Sequence, residues 1–202
     1  MTSVLHIGIG GHWTAMEFAR LLHLAVRFYR LEQLALLART GRPDLFGGRF
    51  DAVVLKYLAA FDWIAASLMS GEFNESYIRS EELVAELGVT DLSIHGIDYA
   101  SPGHVAFAGT GPVIEAMFAT FHEVLEIGRP GSAVEHDDQG RLSALEALYA
   151  RNVKAKAALM QDADYAEAEL HAIISPSLED LQFLSNAMTL GKIVAVELRA
   201  PA

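Results

Sequence analysis

The residues of this chain with the most explicit chemical potential are Gly109-Thr110-Gly111-Pro112, a glycine turn that opens a helix. A helix N-terminus presents unbonded N–H groups and a partial positive charge, so such a turn can hold a phosphate or a carboxylate. Gly109, Thr110 and Gly111 are therefore candidate anion-binding residues, with His104 a short distance upstream as a titratable neighbour. Pro112 removes one donor, and no lysine follows at the spacing a P-loop requires, so nucleotide binding of that type is excluded. The simpler reading of the same residues is a capped turn, with proline in the first helical turn, where a missing N–H costs nothing.

A second junction, Gly8-Ile9-Gly10-Gly11-His12, follows an apolar alternation. It has the opening glycines of a dinucleotide-binding turn, but Trp13 occupies the third glycine position, and the region where a second strand ending in an acid should lie reads as helix. These glycines are expected to turn a strand sharply into a helix. Among the eight histidines, His95 and His104 fall on facing arms of an expected hairpin, and His122 and Glu126 are four apart on one helix. Neither pair supplies the three or four converging ligands that zinc needs. The chain lacks the Gly-x-Ser-x-Gly elbow and the Ser-x-x-Lys motif. No catalytic residue, metal or cofactor is assigned from the sequence.

The most regular pattern lies further on. Leu142, Leu145, Tyr149, Asn152, Lys156, Leu159, Ala163, Ala166, Leu170 and Ile173 recur in alternating steps of three and four, so they share one seam of a single helix, roughly Arg141 to Ile174. Such a seam drives helices to pair. Asn152 and Lys156 interrupt it, either to fix register against a partner or because the helix rotates them into water. Alanine at 163 and 166 thins the seam, which favours a helical hairpin or short bundle over a long coiled coil.

Composition sets the frame for these residues. The chain has 202 residues, 52% of them apolar, and a mean hydropathy of +0.26. That is high for a monomer and implies either very Ala- and Leu-rich buried helices or apolar surface covered by another chain. The net charge of −11, dispersed rather than clustered, excludes an extended nucleic-acid surface. The absence of cysteine excludes disulfides, thiolate zinc sites and thiol chemistry. The first residues lack a basic region followed by an apolar run, and Val105–Phe121 carries Glu115, two glycines and Pro112, so neither a leader nor a membrane span is expected. A cytoplasmic location is the expectation.

The elements that must position these residues follow from periodicity and breakers. Val4–Gly8 reads as a strand, and His12–Arg39 as a helix with Trp13, Met16, Leu22, Val26, Tyr29, Leu34 and Leu37 on its apolar face. Thr40–Arg49 is a loop, Phe50–Met69 an amphipathic helix, and Ser80 opens a short helix that Gly88 closes. Ser93–Tyr99 and His104–Ala108 flank Ser101-Pro102-Gly103 as a hairpin. The helix opened by Gly111 buries Val113, Ile114, Met117, Phe118, Phe121, Val124 and Leu125, and the seam helix comes next. A helix from Ser175-Pro176 to Leu190 and a strand over Ile193–Leu198 complete the chain.

The fold class is α+β: helix-rich, with a small, mostly antiparallel sheet of three or four short strands, one hairpin among them, covered by helices, plus a long C-terminal helix or helical hairpin. Residues 1–131 are expected to form the α+β body and 132–202 a helical part with the last strand, packed on the body, the alternative being a single domain. The expected function is a non-enzymatic, self-associating assembly or adaptor module acting through helix-mediated protein contacts, its partners itself and another protein. The alternative is a small ligand-binding protein or enzyme holding an anionic group at Gly109–Pro112.

Overall fold

Alternation sets the sheet. In the computed structural model, which describes residues 2–39, 92–98, 102–129, 138–160 and 178–200, the first strand β1 spans Thr2–Ile9. It sends Leu5, Ile7 and Ile9 into the core, while His6 and Gly8 lie on the other face. Strands β2 (Ser93–Asp98) and β3 (Gly103–Thr110) form the hairpin, and β4 spans Ile193–Arg199. The sheet order is β2-β3-β1-β4, antiparallel throughout. Each helical connection thus joins two parallel strands with a third lying between them. These are two interleaved split βαβ units, the ferredoxin-like arrangement.

Four described helices accompany the sheet: α1 (Ala15–Arg39), α2 (Gly111–Gly128), α3 (Asp138–Met160) and α4 (Leu178–Thr189). Helix α2 is the hub, touching α1, α3, α4, β1, β3 and β4. Its buried face carries Val113, Ile114, Met117, Phe121, Val124 and Leu125, the three- and four-residue steps of an amphipathic helix. Phe121 meets Phe28 of α1 edge to face, with centroids 5.0 Å apart. Leu145 and Leu148 of α3 and Leu181 and Leu184 of α4 lie in the same core as Leu5 and Phe107. The last strand joins that sheet directly beside β1. The fold is therefore α+β, with one antiparallel sheet and a helical cover.

Some elements depart from the sequence reading. Helix α1 starts at Ala15, three residues later than expected, because Thr14 caps it. The Glu17 N–H donates to Thr14 Oγ1 at 3.2 Å, and the Thr14 N–H donates back to Glu17 Oε2 at 2.9 Å, a reciprocal capping box. Its buried face is Leu21, Leu24, Ala25, Phe28, Tyr29, Leu31 and Ala35, whereas Met16 is 60% exposed. The stripe is rotated relative to the expected one because the turn out of β1, not periodicity alone, sets where the helix begins.

The helices expected at Phe50–Met69 and around Ser80–Gly88 lie outside the described residues, as does the continuation of the seam helix beyond Met160. Among the described residues no helix is long and apolar enough to cross a membrane.

Candidate functional site

At Gly109–Pro112 the sequence provides a helix N-terminus, and the structure fills the space beside it. Thr110 is the N-cap residue of α2, in an extended conformation without a side-chain cap bond, and Pro112 sits in the first turn. The Thr110 N–H donates to Tyr29 Oη at 2.9 Å, and the Tyr29 hydroxyl lies 3.3 Å from Thr110 Oγ1. Tyr29 is fully buried in α1. A Cβ on Gly109 would fall 2.5 Å from the tyrosine ring. Gly109 is thus the residue that lets Tyr29 lie against β3, and Tyr29 takes up the Thr110 N–H at the mouth of the turn. Gly111 is buried, and His104 lies at the far end of β3 from this turn, so the structure does not bring the four anion-binding candidates together.

The first junction is likewise a packing turn. Gly11 has φ +63°, a conformation suited to glycine. Gly10 donates its N–H to the Lys192 carbonyl at 2.9 Å, and a Cβ there would press on Gly191 O at 3.0 Å. The turn into α1 and the turn from α4 into β4 therefore interlock.

The histidines regroup. The β2–β3 register sets His104 opposite Asp98, and an irregularity between Ile94 and Gly96 takes His95 out of that pairing. His104 meets His6 of β1 instead, with ring centroids 5.3 Å apart and planes tilted by 30°. The His6 Nδ1 is buried without a hydrogen-bond partner among the described residues. Burial first, then the positive charges of Arg199 and His104, hold His6 below its ordinary value of 6.5. It therefore stays neutral at neutral pH. On the neighbouring strand, Glu197 and Arg199 pair with each other at 2.6 Å, and Arg199 keeps the Glu197 carboxyl below its usual range. His122 stacks near Phe118, while Glu126 pairs with Arg129 at 3.1 Å and Glu123 with Arg151. Among the described residues no group of three or more His, Asp or Glu could hold a metal ion.

The seam residues separate along α3. Leu142 is 36% exposed, but Leu145 is 3% and Leu148 2% exposed within the protein's own core, and Tyr149 packs against that core. A second chain was the expected cover for Leu145 and Tyr149; the cover is α1, α2 and α4. Arg141 reinforces this docking by donating to Thr189 Oγ1 at 3.0 Å. The Asn152 Nδ2 is buried without a partner among the described residues. The side chains of Lys156, Leu159, Leu170 and Ile173 lie outside the described residues.

Sequence reasoning did not find a cleft at the N-terminal end of α1. It is walled by Trp13, Glu17 and Arg20 on one side and by Glu179, Phe183 and Lys192 on the other. The Thr14-x-x-Glu17 spacing, a capping-box signature, was the available signal that Glu17 is held in place. No family model, no curated protein and no solved structure matches the chain.

Proposed function

We propose that the chain is a self-associating module and that a second copy docks along the outer edge of β4. The observation that carries this reading is the outer strand itself. Among the described residues β4 pairs on one side only, with β1, and it leaves Val194 46% and Leu198 39% exposed. An edge strand presents unpaired N–H and C=O groups, and apolar side chains on it make pairing with another strand favourable. Glu197 and Arg199, two residues apart, give the edge both signs of charge, so an antiparallel copy meets no uniform like-charge barrier.

The opposite edge is less suited. Strand β2 also exposes Ile94 and Ile97, but its irregularity between Ile94 and Gly96 divides the ladder into runs of two and three residues, whereas β4, irregular only at Val194, keeps residues 195–199 in unbroken register. The described stripe of α3 is consumed within the protein, so the contact is assigned to the sheet and not to that helix.

Light scattering over a concentration series tests the reading. The expected result is a particle of at least twice the 22.0 kDa chain mass, reduced to a single chain by Val194→Lys combined with Leu198→Lys, with an unchanged circular dichroism spectrum. A single-chain mass at every concentration refutes self-association. An oligomer indifferent to both lysines refutes the β4 edge as its contact.

A further inference from the structure

The cleft beside the start of α1 has a volume of about 340 Å³, within the range of roughly 300–1,000 Å³ typical of small-molecule sites. Its charged groups are of two kinds. Glu17 and Lys192 close on each other, and Glu17 also takes the Thr14 N–H and hydroxyl. The Lys192 ammonium first, and then Thr14, hold the Glu17 carboxyl at about 2. That pair is a satisfied, neutral unit forming one wall.

Arg20 and Glu179 are less completely used. The Arg20 guanidinium lies over the Phe183 ring, 4.6 Å from its centroid. Its polar contacts are long, 3.4 Å to the Glu179 carbonyl oxygen and 3.8 Å to Asp180 Oδ1. The other Asp180 oxygen is already bonded to Arg27 at 3.0 Å. A guanidinium carries five donors, and the Arg20 side chain is 45% exposed where it lines the cleft. The Glu179 carboxylate lines the same cleft and has no cationic partner among the described residues.

Besides the Glu17–Lys192 pair, the cleft therefore offers one cation, Arg20, and one anion, Glu179, with no net charge. Its remaining lining is mixed: Gln182 and Asn186 are polar, while Phe183, Ala187, Leu190 and Trp13 are apolar. Leu190 is 70% exposed at the rim, and the Trp13 ring is pinned by its Nε1–H bond to the Gly10 carbonyl at 3.1 Å. Opposite charges lining one cleft suit a ligand that bears both signs. A simple anion would meet Glu179, and a simple cation would meet Arg20, each at the cost of an unpaired charge.

We propose that this cleft binds a free α-amino acid with an apolar side chain, its carboxylate on Arg20, its ammonium on Glu179, and its side chain against Trp13 and Leu190. The site is separate from the β4 edge, so the proposal stands independently of self-association.

Calorimetric titration of the whole chain with leucine, methionine, phenylalanine and tryptophan tests it, alongside N-acetylleucine, which lacks the ammonium, and leucine amide, which lacks the carboxylate. The expected result is saturable binding of at least one free amino acid, weakened at least about tenfold in both blocked forms. Glu179→Gln and Arg20→Gln should each weaken the free amino acid by at least about tenfold. Glu179 is exposed, so its variant keeps the test decisive if the loss of the Arg20–Phe183 stack disturbs folding. Absence of saturable binding by all four amino acids up to about 10 mM overturns the proposal. So does equal binding of the blocked forms, or unchanged binding by Glu179→Gln.

Discussion

Gly109→Ala is the substitution with the clearest expected cost. The added Cβ would fall 2.5 Å from Tyr29 Cε2 and 2.8 Å from Cζ and Oη, all closer than carbon and oxygen atoms can approach. Tyr29 is fully buried, so its ring has no solvent to swing into. Forcing a methyl into such a site costs about 1–3 kcal/mol, and displacing the hydroxyl from the Thr110 N–H adds about 0.5–1.5 kcal/mol. Gly109 is not among the glycines with positive φ, so alanine recovers about 0.4–1 kcal/mol by stiffening the unfolded chain. The net expectation is a loss of about 0.5–4 kcal/mol, read from urea midpoints at unchanged slope. The companion variant is Tyr29→Ala, which removes the obstruction. Adding Gly109→Ala to it should cost nothing further, so the coupling energy in the double-mutant cycle should equal the single-variant loss of about 0.5–4 kcal/mol. A single Gly109→Ala variant within about 0.5 kcal/mol of wild type, or additive behaviour of the two changes, would refute the reasoning.

Other expectations follow from the same structure. Leu145→Ala should lower stability by about 2–5 kcal/mol, whereas Leu142→Ala, on the exposed side of α3, should change it by less than about 0.5 kcal/mol; thermal melts that rank the two in reverse would contradict the docking of α3. Thr14→Ala removes the N-cap of α1 and should cost about 0.5–2 kcal/mol, and it should raise the Glu17 carboxyl from about 2 toward its ordinary 4.5, measurable by NMR titration. His6 is held below 6.5 in the fold by burial, Arg199 and His104. Below pH 6.5 the unfolded chain therefore takes up its proton first, and His6's contribution, fully present above that pH, is lost as pH falls toward the folded value. Denaturation midpoints should drop across that window in the wild type and drop less in His6→Gln; parallel pH profiles would exclude His6 as the source.

Much of the fold was legible because its signals are local. The alternation in β1, the pairing of β2 with β3 as a hairpin, the stripe of α2 and the alternation in β4 all depend on residues within a few positions of each other. Strand order was not legible, since nothing local says that β4 pairs with β1 while β1 also pairs with β3. The stripe on α3 shows the limit most clearly. Steps of three and four identify which face of a helix is covered but are silent on the covering surface, and the same leucines serve a partner helix or a neighbouring one equally well. Here Leu145 and Leu148 meet the protein's own α1, α2 and α4. The imidazole pair was hidden for a similar reason. His6 and His104 are 98 positions apart, and only the β1–β3 register brings them together.

The glycines make the same point from the opposite direction. Gly10 and Gly109 lie at strand-to-helix turns and Gly128 ends α2, and the space beside all three is taken by another part of the chain: Gly191, Tyr29 and Ser185, each so close that a Cβ would sit 3.0 Å or less from it. A missing side chain declares that space is needed without declaring what fills it. When the filler is a nucleotide, the turn is flanked by donors left open, as in a P-loop. Here the Thr110 N–H is bonded to Tyr29 Oη, the Gly10 N–H to the Lys192 carbonyl, and the Gly128 carbonyl to the Thr189 hydroxyl. These polar groups are answered from within the fold, whereas Arg20 and Glu179 are charged groups whose pairing the fold leaves incomplete.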